Sequence, residues 1–298
     1  MDSRPALLLK NLRKDLVEVF PDLRDSIEEP VELARDPRVA AARQLYSTLV
    51  KKWIPTQPDD AVALSARAIA GFIACNNKCA DWVPTRHPLY SRVLEVVRTK
   101  CNEQFDERGF CWSEVFRRSR TGPGASVASR GRNSQLEKLF LNRMSTTSES
   151  LYKAYRQSLR PFPILLAAEL KRCKQYGDKA VRIVEGSTLS CVRKNFETDR
   201  TVCTEASLDM YAQLGLGECF NDLLKVHYGY CPETQQGRNR ELARRGSVSG
   251  SICTVDSTSA SDLIAYPLTN WCLHPVMNAA IDDCRAPSTK IDGKYVKL

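Results

Sequence analysis

Apolar residues return at three- and four-residue intervals through five stretches in the first half of the chain: Ala6 to Phe20, Pro30 to Trp53, Asp60 to Cys75, Leu89 to Phe105 and Leu136 to Leu159. That spacing predicts a helix in each, punctuated by Pro21, Pro30, Pro55, Pro58 and Pro84. In the fourth, Val93, Val96 and Val97 share a face that excludes Arg98 and Lys100, as a helix half buried in a core requires. From Ala180 the period shortens. Val181 to Val184 and Thr188 to Val192 alternate or run apolar around Glu185-Gly-Ser187, which predicts two strands joined by a hairpin turn. Glu205 to Tyr228 reads as one long helix, with Leu208, Tyr211, Leu214, Leu216, Cys219, Leu223 and Leu224 mostly inward. Gly215 and Gly217 inside it each cost about 1 kcal/mol against alanine, so either another backbone approaches closely or the helix kinks. His227 and Tyr228 at its end read as packing and helix-terminus groups. A helical front with short strands behind it is the α+β pattern.

Near the end, Ile252, Thr254 and Val255 favour extended backbone, and Ser257, Thr258 and Ser259 can cap a helix through Ala260 to Tyr266. Asp256 then falls at the carboxyl end of a strand with its oxygens free. Hard divalent cations take carboxylate oxygens there, although an Asp near serines is also ordinary helix-capping chemistry. An aspartyl-phosphate phosphatase would need a second Asp two residues on, and Thr258 occupies that place.

Charge changes the picture more than length does. The 298 residues exceed one usual compact core, so one large or two smaller domains are expected. A formal charge of +9 favours an acidic partner, with nucleic acid first. The segment from Arg117 to Arg132 holds five arginines and three glycines without apolar periodicity. It is expected to be a mobile positive loop in which Arg117, Arg118 and Arg120 contact RNA phosphates; the alternative is a solvated loop closed by a turn at Pro123-Gly124. Arg238, Arg240, Arg244 and Arg245 form a second basic cluster, suited to template backbone or simply to solvation. The twelve cysteines are scattered and nothing resembles a secretion signal or a membrane span, which fits reduced thiols in a cytosolic protein. Cys75 and Cys79 read as buried small hydrophobes rather than a zinc site.

Three blocks in order give these features a common source: Val192-Arg-Lys-Asn195 with Thr198-Asp-Arg200, then Tyr211-Ala-Gln-Leu-Gly-Leu-Gly217, then Arg245-Gly-Ser-Val248 running into Thr254-Val-Asp-Ser-Thr-Ser-Ala-Ser-Asp262, with Gly122-Pro-Gly-Ala125 as a looser match. They resemble the RNA-dependent RNA polymerase of leviviruses, small positive-strand RNA bacteriophages. The resemblance implies a right-hand polymerase architecture: helical amino-terminal and fingers region over 1–179, fingers with a basic nucleotide-entry hairpin over 180–250, and an incomplete antiparallel palm over 251–298. It assigns Lys194 and Arg200 to the incoming triphosphate by matching position, and Arg193 by proximity. Asp256 would be the first carboxylate for two Mg²⁺ ions, while Ser261 and Asp262 would face the ribose hydroxyls; a charge at a helix start is the plainer account of Asp262. Arg238, Arg244 and Arg245 would join the RNA contacts. Single-stranded viral RNA, NTPs and, by resemblance alone, host elongation factors Tu and Ts and a ribosomal protein are the implied partners, in the bacterial cytoplasm. A Gly-Asp-Asp hairpin is expected in such an enzyme and is absent here. Tyr176-Gly-Asp-Lys179 replaces the second carboxylate with lysine, and Asp282-Asp283 follows a helix-like run that it more plausibly closes. The 298 residues alone are therefore expected to be an inactive portion of a replicase. The competing reading is a basic RNA-binding or adaptor protein without enzymatic activity; a helical scaffold accounts only for the front of the chain.

Overall fold

The computed structural model describes residues 3–53, 58–103, 110–127, 133–141, 143–255 and 257–298. The chain is α+β and helix-rich, and it forms two compact units: Met1–Phe72 with Cys191–Val202, and Ile73–Ser190 with Cys203–Leu298.

In the first unit α1 (Ser3–Val19) and α2 (Pro37–Trp53) enclose a small core of Leu23, Ile27 and Ala42, edged by Leu16, Val17, Phe20, Val39 and Tyr46. The helix predicted from Pro30 begins only at Pro37. Val31–Leu33 forms a single 3₁₀ turn, and the Asp36 carboxylate accepts from the Arg38 backbone N–H at 2.8 Å, setting the true start. Arg43 is drawn inside, with its guanidinium on Glu29 at 2.7 Å and on the Pro30 carbonyl at 3.2 Å. The first part of α3 (Pro58–Ala80) also belongs here.

The second unit holds the larger core. α5 (Trp112–Arg118) lies against α8 (Ser207–Tyr228), and Val115, Phe116, Tyr155, Leu208, Tyr211 and Leu216 close around Met144 and Leu151. Gly215 is where the two helices meet: a Cβ there would run into Ser119 and the Val115 carbonyl, so close approach explains this glycine, whereas Gly217 faces open space.

Two expectations fail in this unit for identifiable reasons. The helix predicted from Leu136 to Leu159 is interrupted by a π-helical turn (Glu137–Leu141) and by β1 (Met144–Thr146), resuming as α6 (Glu149–Gln157). Ser145 spends its hydroxyl on the Val127 carbonyl, Thr146 and Thr147 spend theirs on Asp209, and Ser148 caps α6 by accepting from the Leu151 N–H at 3.1 Å. The apolar face of α4 (Pro88–Glu103) is exposed, with Val93 at 53% and Val96 at 55%. Its polar side does the packing: Arg98 lies over the Trp271 ring at 5.1 Å and Asn102 donates to the Cys272 carbonyl at 3.1 Å, both on α10 (Tyr266–Cys272).

Strand pairing also departs from the sequence expectation. β2 (Val181–Ile183) pairs in parallel with β1, so Glu185-Gly-Ser187 is not a hairpin turn. β3 (Ser187–Asn195) instead neighbours β4 (Thr198–Thr204) across Phe196-Glu197, too short a connection for any but an antiparallel pair. On its other side β3 pairs in parallel with β5 (Ser288–Ile291), which pairs antiparallel with β6 (Lys294–Lys297). The sheet order is β4-β3-β5-β6. It is therefore mixed as a whole, while the two strands within 251–298, β5 and β6, pair antiparallel. Asp292 and Gly293 turn the last hairpin with positive φ at both positions, 46° and 86°. Gly186 lets the Ser288 carbonyl come so close that a Cβ would collide with it.

Candidate nucleotide and nucleic-acid interface

The β3–β4 hairpin carries the basic side chains assigned to the triphosphate. Side chains alternate between faces along a strand. On β3, Leu189 and Cys191 point to the more covered face, and Arg193 follows them. Its Nε lies 2.8 Å from Asp199 Oδ1, and Asp199 is only 3% exposed. The same carboxylate accepts from Ser65 Oγ of α3 at 2.6 Å. Lys194 and Arg200, each one residue along from that pair, lie on the opposite face; both are exposed, and neither has an ion-pair partner among the described residues. The tip is fastened by backbone as well, with Phe196 N–H donating to the Lys51 carbonyl at 3.2 Å and Lys52 Nζ donating to the Lys194 carbonyl at 3.4 Å. Of the three nucleotide candidates on the hairpin, two are available and Arg193 is engaged.

The two arginine clusters also differ. Arg117 and Arg118 fall on the last turn of α5, where both bond Glu114 at 2.6–2.8 Å. Those hydrogen bonds hold the Glu114 carboxyl down at about 2. Arg118 further pairs with Asp222, and Arg120 with Glu218, both on α8. Beyond them the nearly buried Lys138 donates to the Gly122 carbonyl at 2.5 Å and to that of Gly124, and burial lowers its pKa. Val127 N–H donates to the Glu205 carbonyl at 2.7 Å. Through Val127, then, the expected mobile loop is anchored; Arg130 and Arg132 lie outside the described residues. Arg238, Arg240 and Arg245 stand on α9 (Pro232–Ser249), a helix without a buried residue. All three are exposed and lack ion-pair partners among the described residues, whereas Arg244 bonds Glu241 at 2.8 Å.

Asp256 lies outside the described residues. Its neighbours 251–255 form no strand, and Val255 is 84% exposed. The helix expected through Ala260 to Tyr266 is absent too: Ser259 takes a positive φ of 54°, single turns follow, and α10 begins only at Tyr266 with Pro267 in its first turn. Left-handed backbone at Ser259 breaks a helix before it can propagate. Ser261 and Asp262 are exposed in these turns rather than at a helix start, with Ser261 Oγ at 3.4 Å from Asp262 Oδ1. No three His, Cys, Asp or Glu side chains gather as a metal site among the described residues, which therefore do not by themselves make a cage for Mg²⁺. Asp282 and Asp283 sit in the last turn of α11 (Pro275–Cys284), accepting from Tyr266 and from Ser148 and Ser150, and Gly177-Asp-Lys179 is a 3₁₀ turn after α7 (Pro163–Tyr176).

Sequence reading missed two shielded carboxylates, one in each unit. Asp199 is one. Asp209, fully buried near the start of α8, is the other; it accepts from Thr147 N–H at 3.0 Å, Thr147 Oγ1 at 2.7 Å and Thr146, and burial raises its pKa to about 6. The one available signal for Asp199 was its place beside Arg200 in the Thr198-Asp-Arg200 block.

A sequence model of the RNA replicase beta-chain matches residues 91–298. The chain belongs to that family. Lys194, Arg200, Asp256 and both arginine clusters fall inside the matched stretch. Among replicases of this family, the RNA-directed RNA polymerase beta chain of Enterobacteria phage GA is 40% identical over 124 residues, 41% of this chain and 23% of the relative. That of Escherichia phage MS2 is 35% identical over 116 residues, 39% and 21%. That of Enterobacteria phage fr is 29% identical over 185 residues, 62% and 33%. The matches thus span between about a fifth and a third of these relatives. No helix among the described residues is long and apolar enough to cross a membrane.

Proposed function

We propose that this chain is part of a leviviral RNA-directed RNA polymerase that copies viral RNA by nucleotidyl transfer from NTPs in the host cytoplasm. In this reading it contributes helix-rich fingers and the first palm motif of a right-hand polymerase. The observation that carries the reading is the family match over 91–298, a stretch that holds all three sequence blocks together with a hairpin presenting Lys194 and Arg200 without carboxylate partners among the described residues. Preplaced cations stabilise charge developing on departing pyrophosphate. Ser261 and Asp262 would contact the ribose, and the exposed arginines of α9 would contact RNA phosphates. Asp256 is the proposed Mg²⁺ ligand, and host elongation factors Tu and Ts with a ribosomal protein are the proposed partners.

Template-directed incorporation by the full-length replicase tests the reading. Lys194→Ala or Arg200→Ala should lower incorporation by roughly 10²–10³, the usual cost of one charge-stabilising donor, with RNA affinity nearly intact. Equal losses of RNA binding and incorporation would make them template contacts. Asp256→Asn should abolish incorporation, because asparagine loses the charge that holds a hard cation; Asp262→Asn should mainly weaken discrimination between ribo- and deoxyribonucleotides. Full-length protein that binds RNA and never incorporates nucleotide would favour the non-enzymatic RNA-binding reading.

A further inference from the structure

We infer that Asp199, fixed by Ser65, is a positioning residue that selects which cations of the β3–β4 hairpin face the triphosphate; this rests on the nucleotide reading of the hairpin. Arg193, Lys194 and Arg200 are close in sequence and chemically alike, so charge alone does not choose among them. Strand geometry does. A slip of one residue in register moves every side chain to the other face. It would exchange Arg193 for Lys194 on the side where the triphosphate is bound. The contacts of the tip with Lys51 and Lys52 hold its backbone but do not choose which side chains face α3, and the strands themselves help little, because their side chains are mostly polar and the turn, Phe196-Glu197, contains no glycine to enforce one turn type.

The Asp199 carboxylate supplies the missing constraint. It is 3% exposed, carries Arg193 Nε at 2.8 Å, and receives Ser65 Oγ at 2.6 Å from a helix outside the sheet. A shielded carboxylate with a cation on one oxygen and a hydroxyl on the other tolerates little displacement, since any slip would leave it unpaired. Cys191 Sγ donates to the Ser65 carbonyl at 3.7 Å, so the same residue of α3 meets both strands of the hairpin. The result is a hairpin rotated so that Arg193 is held against α3 while Lys194 and Arg200 stay exposed on the opposite face. Asp199 touches no nucleotide in this arrangement. It acts through where it keeps the cations.

Steady-state kinetics of the full-length replicase, with NTP and template RNA varied separately, distinguish this from a merely structural carboxylate. Asp199→Asn should raise KM for NTP roughly tenfold and lower kcat as well, a partial version of the loss expected of Lys194→Ala, with RNA affinity unchanged. Ser65→Ala should move the NTP KM in the same direction by a smaller factor, and Ser65→Thr, which restores the hydroxyl, should return it. An unchanged KM for NTP in folded Asp199→Asn enzyme overturns the inference, as does a parallel loss of kcat, NTP affinity and RNA affinity. Should Asp199→Asn fail to fold, the Ser65 pair decides alone: equal NTP KM values for Ser65→Ala and wild type overturn it. Lys194→Ala separates the two levels. If it raises the NTP KM while Asp199→Asn does not, only the positioning role fails; if neither does, the nucleotide reading of the hairpin fails.

Discussion

Arg117, Arg118 and Arg120 carry the same guanidinium forks as Arg238, Arg240 and Arg245, and from sequence the two groups are equal candidates for RNA. In the fold they are opposites. The first group is answered by Glu114 on its own helix and by Glu218 and Asp222, 98 and 104 residues further along on α8. The second stands on a helix whose acids, Glu233 and Glu241, engage Cys231 and Arg244 and leave the other three arginines exposed. Clustered positive charge in a sequence therefore measures supply, whereas the charge offered to a polyanion is what remains after distant carboxylates have been matched. By that measure α9 is the stronger candidate for a polyanion surface and the α5 end is chiefly a brace between α5 and α8.

The difference can be broken from either side. Replacing Arg238, Arg240 and Arg245 together by alanine should weaken single-stranded RNA binding by roughly 100-fold at low salt and reduce the slope of log K against log salt by about 2, since each phosphate contact on a single strand contributes about 0.7. Filter binding across a salt series checks both. A triple variant with wild-type slope would remove α9 from the interface.

A buried carboxylate on the bracing helix gives the next largest effect. Asp209 has a folded pKa near 6, above its ordinary 3.8, because burial disfavours its charge. Between those values the folded state keeps a proton that the unfolded state has released. Its contribution to stability is thus complete below about pH 4 and lost as pH rises through 6, amounting to about 2–3 kcal/mol at most. Denaturant melts at pH 4, 5, 6 and 7 should show this fall in the wild type, and Asp209→Asn should flatten it. Glu114 runs the other way: its carboxyl is lowered to about 2 by Arg117 and Arg118, so its contribution is present above about pH 4.5 and lost toward pH 2. A wild-type profile that rises steadily from pH 4 to 6 would contradict the account of Asp209.

The smallest effect sharpens the comparison rather than breaking it. Glu218→Gln with Asp222→Asn should release Arg120 and one bond of Arg118 and so strengthen RNA binding about threefold, as expected for newly exposed phosphate donors. Unchanged affinity would mean that these arginines do not reach RNA even when free.

What could be read in advance follows from the range of the forces involved. α1, α3 and α8 are visible in the sequence because helical hydrogen bonds are local and the apolar period records the buried face. β1 was invisible: three residues, all buried, whose partner strand begins at Val181. The hairpin was placed one strand too early because Glu185-Gly-Ser187 looks like a turn, while the real partner of β2 lies upstream. The α4 stripe of Val93, Val96 and Val97 has the period of a core helix, but period reports amphipathicity and not what covers it. Among candidate site residues, Lys194 and Arg200 stand out in the sequence through the resemblance block that holds them, and the fold leaves both exposed. Asp199 and Asp209 were not, because a carboxylate's role depends on Ser65 in one case and on Thr146 and Thr147 in the other.

α9 and α8 are of similar length, 18 and 22 residues, yet α8 sinks seven residues into the core and α9 none. A helix with no buried stripe draws little from tertiary packing, and short helices in water are marginal by themselves. Amide hydrogens of α9 should consequently exchange with solvent through local fraying, orders of magnitude sooner than those of α8, whose release awaits opening of the core. An arginine surface carried on such a helix meets its ligand as a set of interconverting shapes. Ordering that set on contact costs conformational entropy, which would lower affinity for any one polyanion while leaving the surface able to follow a backbone of changing curvature.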